Sequence, residues 1–213
     1  MLNRILAALV VLQLATAVAA QDVAYTLRIE LNWSLETVAT LPDNPHWSRL
    51  IAFTHSDRYV LFKDGDTASS GLALVATNGR VSVLDAELAE GRRRDRVAEQ
   101  HVLPGLPDGQ GVFETELRLS EKHHRVSFAT MLAPSPDWFT GVSGIALRTD
   151  DTWQTEVTVP LWVWDAGADS GPSFQSPDAP TQPRQSVRLV SHPAFLTPAG
   201  LKPIGQATIT RIR

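Results

Sequence analysis

The stretch VFETELRLSEKHHRVSFATML, residues 112–132, decides the fold. Phe113, Thr115, Leu117 and Leu119 fall on one side of an extended chain. Ser120, Glu121, Lys122 and His123 then break the run. Val126, Phe128 and, after a slip, Met131 resume it. A period of two with a polar break predicts two antiparallel strands, each with one dry face and one wet face. Working outward, residues 23–33 alternate from Tyr25 onward, residues 145–148 and 155–164 read as strands around an Asp150-Asp151 turn, and residues 207–213 supply a terminal strand. Short apolar runs at 50–54 and 59–62 flank His55-Ser56-Asp57. Seven or eight such strands with few helices predict an all-β antiparallel sandwich.

One or two helices are expected at its periphery. Residues 67–76 are small and apolar at near-helical spacing, and Asn78-Gly79 supplies a C-terminal stop. Residues 83–100 are charged, with Leu84, Leu88 and Val97 on one side and a weak point at Gly91. Arg92, Arg93 and Arg94 there form a solvated face. Residues 165–183, rich in Gly, Ser, Pro and Asp, predict a long irregular loop.

Arg4, the apolar run that follows it and the small residues Ala17, Ala19 and Ala20 match a signal peptide over residues 1–20, with residues 21–213 as one mature domain. The apolar run is shorter than the ~20 residues a bilayer demands. A secreted or periplasmic location is therefore expected, with no membrane span after cleavage. The chain has no cysteine, which rules out disulfides, thiolate zinc sites and thiol nucleophiles. Its net charge of −4 and the lack of a basic stripe argue against a nucleic-acid partner.

Two segments hold the candidate chemistry. In Pro134-Ser135-Pro136-Asp137-Trp138-Phe139, two prolines precede a carboxylate. In Trp164-Asp165-Ala166-Gly167-Ala168-Asp169-Ser170-Gly171, two carboxylates stand four apart in a glycine-punctuated loop. Calcium takes six to eight hard oxygens from carboxylates, carbonyls and water, and such loops can converge on one centre. The competing reading is that Asp165 and Asp169 only cap turns. His55 with Asp57 offers an acid–base pair and no nucleophile motif accompanies it. The adjacent His123 and His124 suit a surface turn, and Trp138 and Trp164 offer a contact surface for glycan or protein.

PSPDWFTGV at 134–142 and WDAGADSG at 164–171, with Trp33-Ser34, His46-Trp47-Ser48, residues 52–56, residues 68–72 and Val126-Ser127-Phe128 in order upstream, resemble the spondin domain. The resemblance implies a C2-like sandwich, a calcium ion held by loops at one end and an extracellular recognition or adhesion role without catalysis. It carries Asp137, Asp165 and Asp169 over as metal ligands, with carbonyls near 133–135 or 166–167 completing the shell. Ala168 departs from the family's usual threonine. Animal members add cysteines and thrombospondin-type repeats that these 213 residues lack, so this chain resembles a stand-alone version, its partner an unidentified extracellular protein or glycan. A calcium-dependent carbohydrate-binding module and an exported hydrolase are the alternatives.

Overall fold

The computed structural model describes residues 22–212, so the segment expected to be a signal peptide lies outside the described residues. The architecture is carried by β1 Val23–Asn32, β2 Leu50–His55, β3 Val97–Leu103, β4 Gln110–Leu119, β5 Arg125–Ala133, β6 Trp138–Ala146, β7 Glu156–Leu161, β8 Val163–Asp165, β9 Arg188–Leu189 and β10 Gly205–Arg211. One antiparallel sheet runs β7-β10-β1-β4. The other runs β9-β8-β6-β5-β2-β3, and His46–Trp47 pairs with the end of β5. The expected all-β sandwich is the fold.

The main core lies between the sheets. Tyr25, Leu27, Ile29 and Leu31 alternate inward along β1, joined by Phe113, Leu117 and Leu119 of β4 and by Val126, Phe128 and Leu132 of β5. β5 and β2 have a second dry face. Ile51, Phe53, Ala129 and Phe139 meet two helices, α1 (Ser70–Asn78) and α2 (Ser82–Arg93). Strands covered on both faces lose strict alternation. That explains why LIAFTH and RVSFATMLA read as unbroken buried runs. Leu72 of α1 and Leu84 and Leu88 of α2 are fully buried, each contributing about 1.5–3 kcal/mol of burial free energy. Gly141 of β6 is required by packing: a Cβ there would stand 2.2 Å from the Phe128 carbonyl oxygen.

Both helices form, with different limits from those the pattern suggests. Ser69 caps α1 by accepting from the Leu72 amide, and Gly79 ends it at φ 67° in the left-handed region. α2 stops at Arg93, and residues 97–103 form edge strand β3 against β2 where the charge pattern suggests continuing helix. Packing overrides propensity here. Val97 is 3% exposed and sits against Gly91, so the chain must leave α2 and return along the sheet. The run 59–62 is not a strand. Tyr59 packs edge-on to Phe53, Phe62 packs on Phe139 and Trp164, and the Leu61 and Phe62 amides both donate to Ser143 Oγ.

Candidate metal centre

Asp137 stands at the entry to β6. The preceding Ser135 accepts from the Trp138 amide, which fixes the approach. β8 pairs with β6 so that Asp165 lies opposite Trp138, and the Ala166 amide donates to the Asp137 carbonyl. The chain then turns back at Gly167, φ +67°, where a Cβ would lie 2.4 Å from the Gln185 carbonyl oxygen. This turn presents two successive amides, Ala168 N–H at 2.6 Å and Asp169 N–H at 3.0 Å, to Asp137 Oδ2. Successive amides aimed at one point form an anion-binding concavity.

The other oxygen, Asp137 Oδ1, is fully buried and has no hydrogen-bond partner among the described residues. Burial pushes the Asp137 carboxyl up to about 6. The charge of Asp165 and, more weakly, that of Asp169 reinforce the shift, and the two amides oppose it. The three aspartates named from the sequence thus share one neighbourhood. Asp165 Oδ1 accepts from the Gly167 amide at 2.8 Å, and its Oδ2 lies 3.8 Å from Arg188 Nε. Asp169 accepts from the Gly171 amide through Oδ1 and from the Ala179 amide through Oδ2, both at 2.8 Å. Asp165 and Asp169 therefore do cap turns. A carboxylate oxygen has lone pairs to spare beyond one such bond.

Among the described residues, no three histidine or acidic side chains stand close enough to form a ready-made metal cage. The orphaned, buried Oδ1 beside two further carboxylates is nevertheless the donor chemistry a hard cation fits. Of the carbonyls that the resemblance offered, Gly167 O already accepts from the Gln185 amide at 2.8 Å. Ala168, in place of threonine, packs its methyl group against the helix-side core.

Beside the aspartates opens a polar cleft of about 330 Å³, lined among others by Asp165, Asp169, Thr181, Gln185, Arg188 and Ser191. Arg188 and Gln185 escaped the sequence reading because they lie in a stretch without periodicity. Phe174 did too, although it is the one aromatic residue in 166–183. It reaches from that loop to the rings of Trp33, Trp138 and Phe195, centroids 5.3–5.9 Å away.

The remaining candidates resolve otherwise. Trp138 is 4% exposed and Trp164 is half-buried against Phe62, so the two form no open contact surface. His123, expected on a surface turn, is 9% exposed and hydrogen-bonds the Asp95 carbonyl. Asp57 pairs with Arg125. His55 gives its Nδ1 proton to the Ser56 carbonyl at 2.8 Å, so its Nε2 accepts from the Ser127 hydroxyl at 2.7 Å. A serine aimed at a histidine nitrogen resembles an activated nucleophile. Ser127, however, is 0% exposed and its oxygen also accepts from the Gly144 amide.

The Spondin_N family profile matches residues 23–196. Spondin-2 of Homo sapiens is 35% identical over 177 residues, 78% of this chain and 54% of that protein. Spondin-1 of Gallus gallus is 34% identical over 206 residues, 88% of this chain and 25% of that protein. The chain thus spans about half the length of the first relative and a quarter of the second. With almost its whole sandwich matched, the chain belongs to the Spondin_N family.

Proposed function

We propose that this protein is an exported, non-enzymatic recognition or adhesion module whose loop end binds calcium through Asp137, Asp165 and Asp169. The observation that carries the reading is Asp137 Oδ1, a buried carboxylate oxygen without a partner among the described residues, in a carboxyl whose pKa is raised by burial and then by two neighbouring carboxylates. A buried charge of this kind is costly until a cation or proton meets it. Calcium would supply that charge and draw the 166–187 loop toward the start of β6. Asp137 is held by the sheet and by the Ala168 and Asp169 amides, and Asp165 by the end of β8, so both stay oriented without the ion. The match to the Spondin_N family supports the extracellular role that the resemblance implied.

The test is thermal unfolding of the mature protein in excess calcium and in excess chelator, with Asp165→Ala alongside. Calcium at about 100 times its dissociation constant stabilises the folded state by about 2.7 kcal/mol. A rise in melting temperature in the parent, absent in the variant, supports the assignment. No response in either would make the three aspartates turn caps only.

A further inference from the structure

We infer that the cleft beside the aspartates is an acceptor site for a carboxylate group, which Arg188 grips from one side and the calcium ion completes from the other. The inference rests on the calcium reading above and extends it to the chemistry of the partner.

The cleft presents side-chain donors that no group among the described residues uses. Arg188 spends its Nη2 on Gln185 Oε1 at 2.6 Å, and its Nε stands 3.8 Å from Asp165, beyond hydrogen-bond range. Its Nη1 makes no hydrogen bond among the described residues, and neither do Gln185 Nε2 or the hydroxyls of Thr181 and Ser191. Four uncommitted donor groups therefore line one cavity of about 330 Å³. Such donors favour an oxygen-bearing ligand, which a cation at the Asp165 and Asp169 carboxylates of the same lining would admit. The Arg188 side chain is 54% exposed, so its free edge is reachable.

Asp165 sits between the two halves of this arrangement. β8 and β9 hold it directly opposite Arg188 in register, so a group bound at one is within reach of the other. Calcium takes six to eight oxygens; three aspartates offer at most six, and four of those already accept backbone amides, which leaves places for water or a ligand. A carboxylate suits both ends, because it ligates calcium and matches the planar guanidinium fork. A phosphate is the poorer match. Arg188 is the only lysine or arginine lining the cleft among the described residues, so the second negative charge of a phosphate would meet no further side-chain cation beside Asp165 and Asp169. Trp138, 4% exposed, packs on His192 with centroids 4.9 Å apart and forms a wall of the cleft.

The experiment titrates the mature protein, with amide and side-chain NMR shifts of residues 165–192 as readout, in calcium and in chelator. The probes are glucuronate, an acetylated peptide ending in alanine, their uncharged counterparts glucose and the same peptide with a C-terminal amide, and methyl phosphate. Saturable shifts with a carboxylate probe, dependent on calcium and weakened about tenfold or more in Arg188→Gln, support the site. A response to glucuronate alone makes the source a glycan, and a response to the peptide alone makes it a protein. Arg188→Gln keeps its calcium-induced rise in melting temperature, because the substitution removes a positive charge near Asp165. If calcium binds and no carboxylate probe does, if the variant binds the probes as well as the parent, or if methyl phosphate binds more tightly, this inference falls and the calcium reading stands. If calcium itself has no effect, both fall.

Discussion

Replacing Asp137 by asparagine should make the calcium-free protein more stable, against the usual outcome for a buried hydrogen-bonded aspartate. The carboxyl is pushed up to about 6 from an ordinary 3.8, chiefly by burial and then by Asp165. A group whose folded pKa is raised binds its proton better when folded, so its ionised form costs stability above that value. At about 1.4 kcal/mol per unit, the cost at pH 7.5 is about 3 kcal/mol. The substituted side chain carries no charge, and its amide oxygen still accepts from the Ala168 and Asp169 amides. In chelator at pH 7.5, Asp137→Asn should therefore melt higher by roughly 6–12 °C, at 2–4 °C per kcal/mol for a domain of this size. The gain shrinks as pH falls through 6 and is nearly gone below 3.8, where the parent is protonated in both states. Calcium reverses the order, since the parent gains binding energy that the variant has lost. The assay is a pair of melting curves, with and without calcium, from about pH 3.5 to about pH 8, a span that brackets both the folded and the unfolded pKa. A variant less stable than the parent in chelator at pH 7.5 would show that the charge-assisted bonds to the two amides outweigh the orphaned oxygen, and the physical basis for the metal would be gone.

His55 works in the opposite direction. Burial pushes its pKa down to about 4, with Arg125 and His124 also lowering it, so stability falls as pH drops from about 6.5 through 4. The total loss is about 3 kcal/mol, best measured by denaturant titration in the Asp137→Asn background, where the other group no longer titrates. Gly141→Ala should abolish soluble folded protein or cost several kcal/mol, because no rotamer relieves a Cβ 2.2 Å from backbone oxygen; a normal melting curve would refute the close approach of β5 and β6. Phe174→Ala should cost about 3 kcal/mol by emptying its place among Trp33, Trp138 and Phe195, and in hydrogen exchange it should free the 166–187 amides before those of β5. Calcium should slow exchange of the same amides and leave β5 unchanged; uniform protection would mean the ion acts on the whole fold.

The parts of this architecture that the sequence announces are those in which one face is dry. β1 and β4 alternate because solvent covers their other side, and the Gly79 stop is visible because only glycine takes that left-handed turn without strain. β3 is hidden for the complementary reason. It is an edge strand with a single well-buried residue, Val97, so its charges continue the pattern of α2 without a change of period. The aspartates are legible through glycine spacing, which marks a loop that folds back. Arg188, Gln185 and Ser191 are not, since their placement depends on where an aperiodic segment crosses the end of the sheet.

The same loop explains why the two halves of the proposed site belong together. Asp137 and Asp165 are fixed by neighbouring strands of a sheet buried on both faces. Asp169 is fixed by the chain that closes on itself from Ala168 to Thr181, through Ser170 to Ala179 and Thr181 to Ala168 hydrogen bonds. That chain has few apolar anchors beyond Phe174, and local stability follows buried apolar contact. A cation between a rigid pair and a loosely held third carboxylate therefore acts mainly on the loop. Because Asp169 and Thr181 line the cleft as well, ordering the loop shapes the wall that a ligand meets. Calcium and ligand would each reduce the ordering cost the other faces, and linkage makes that benefit equal in both directions.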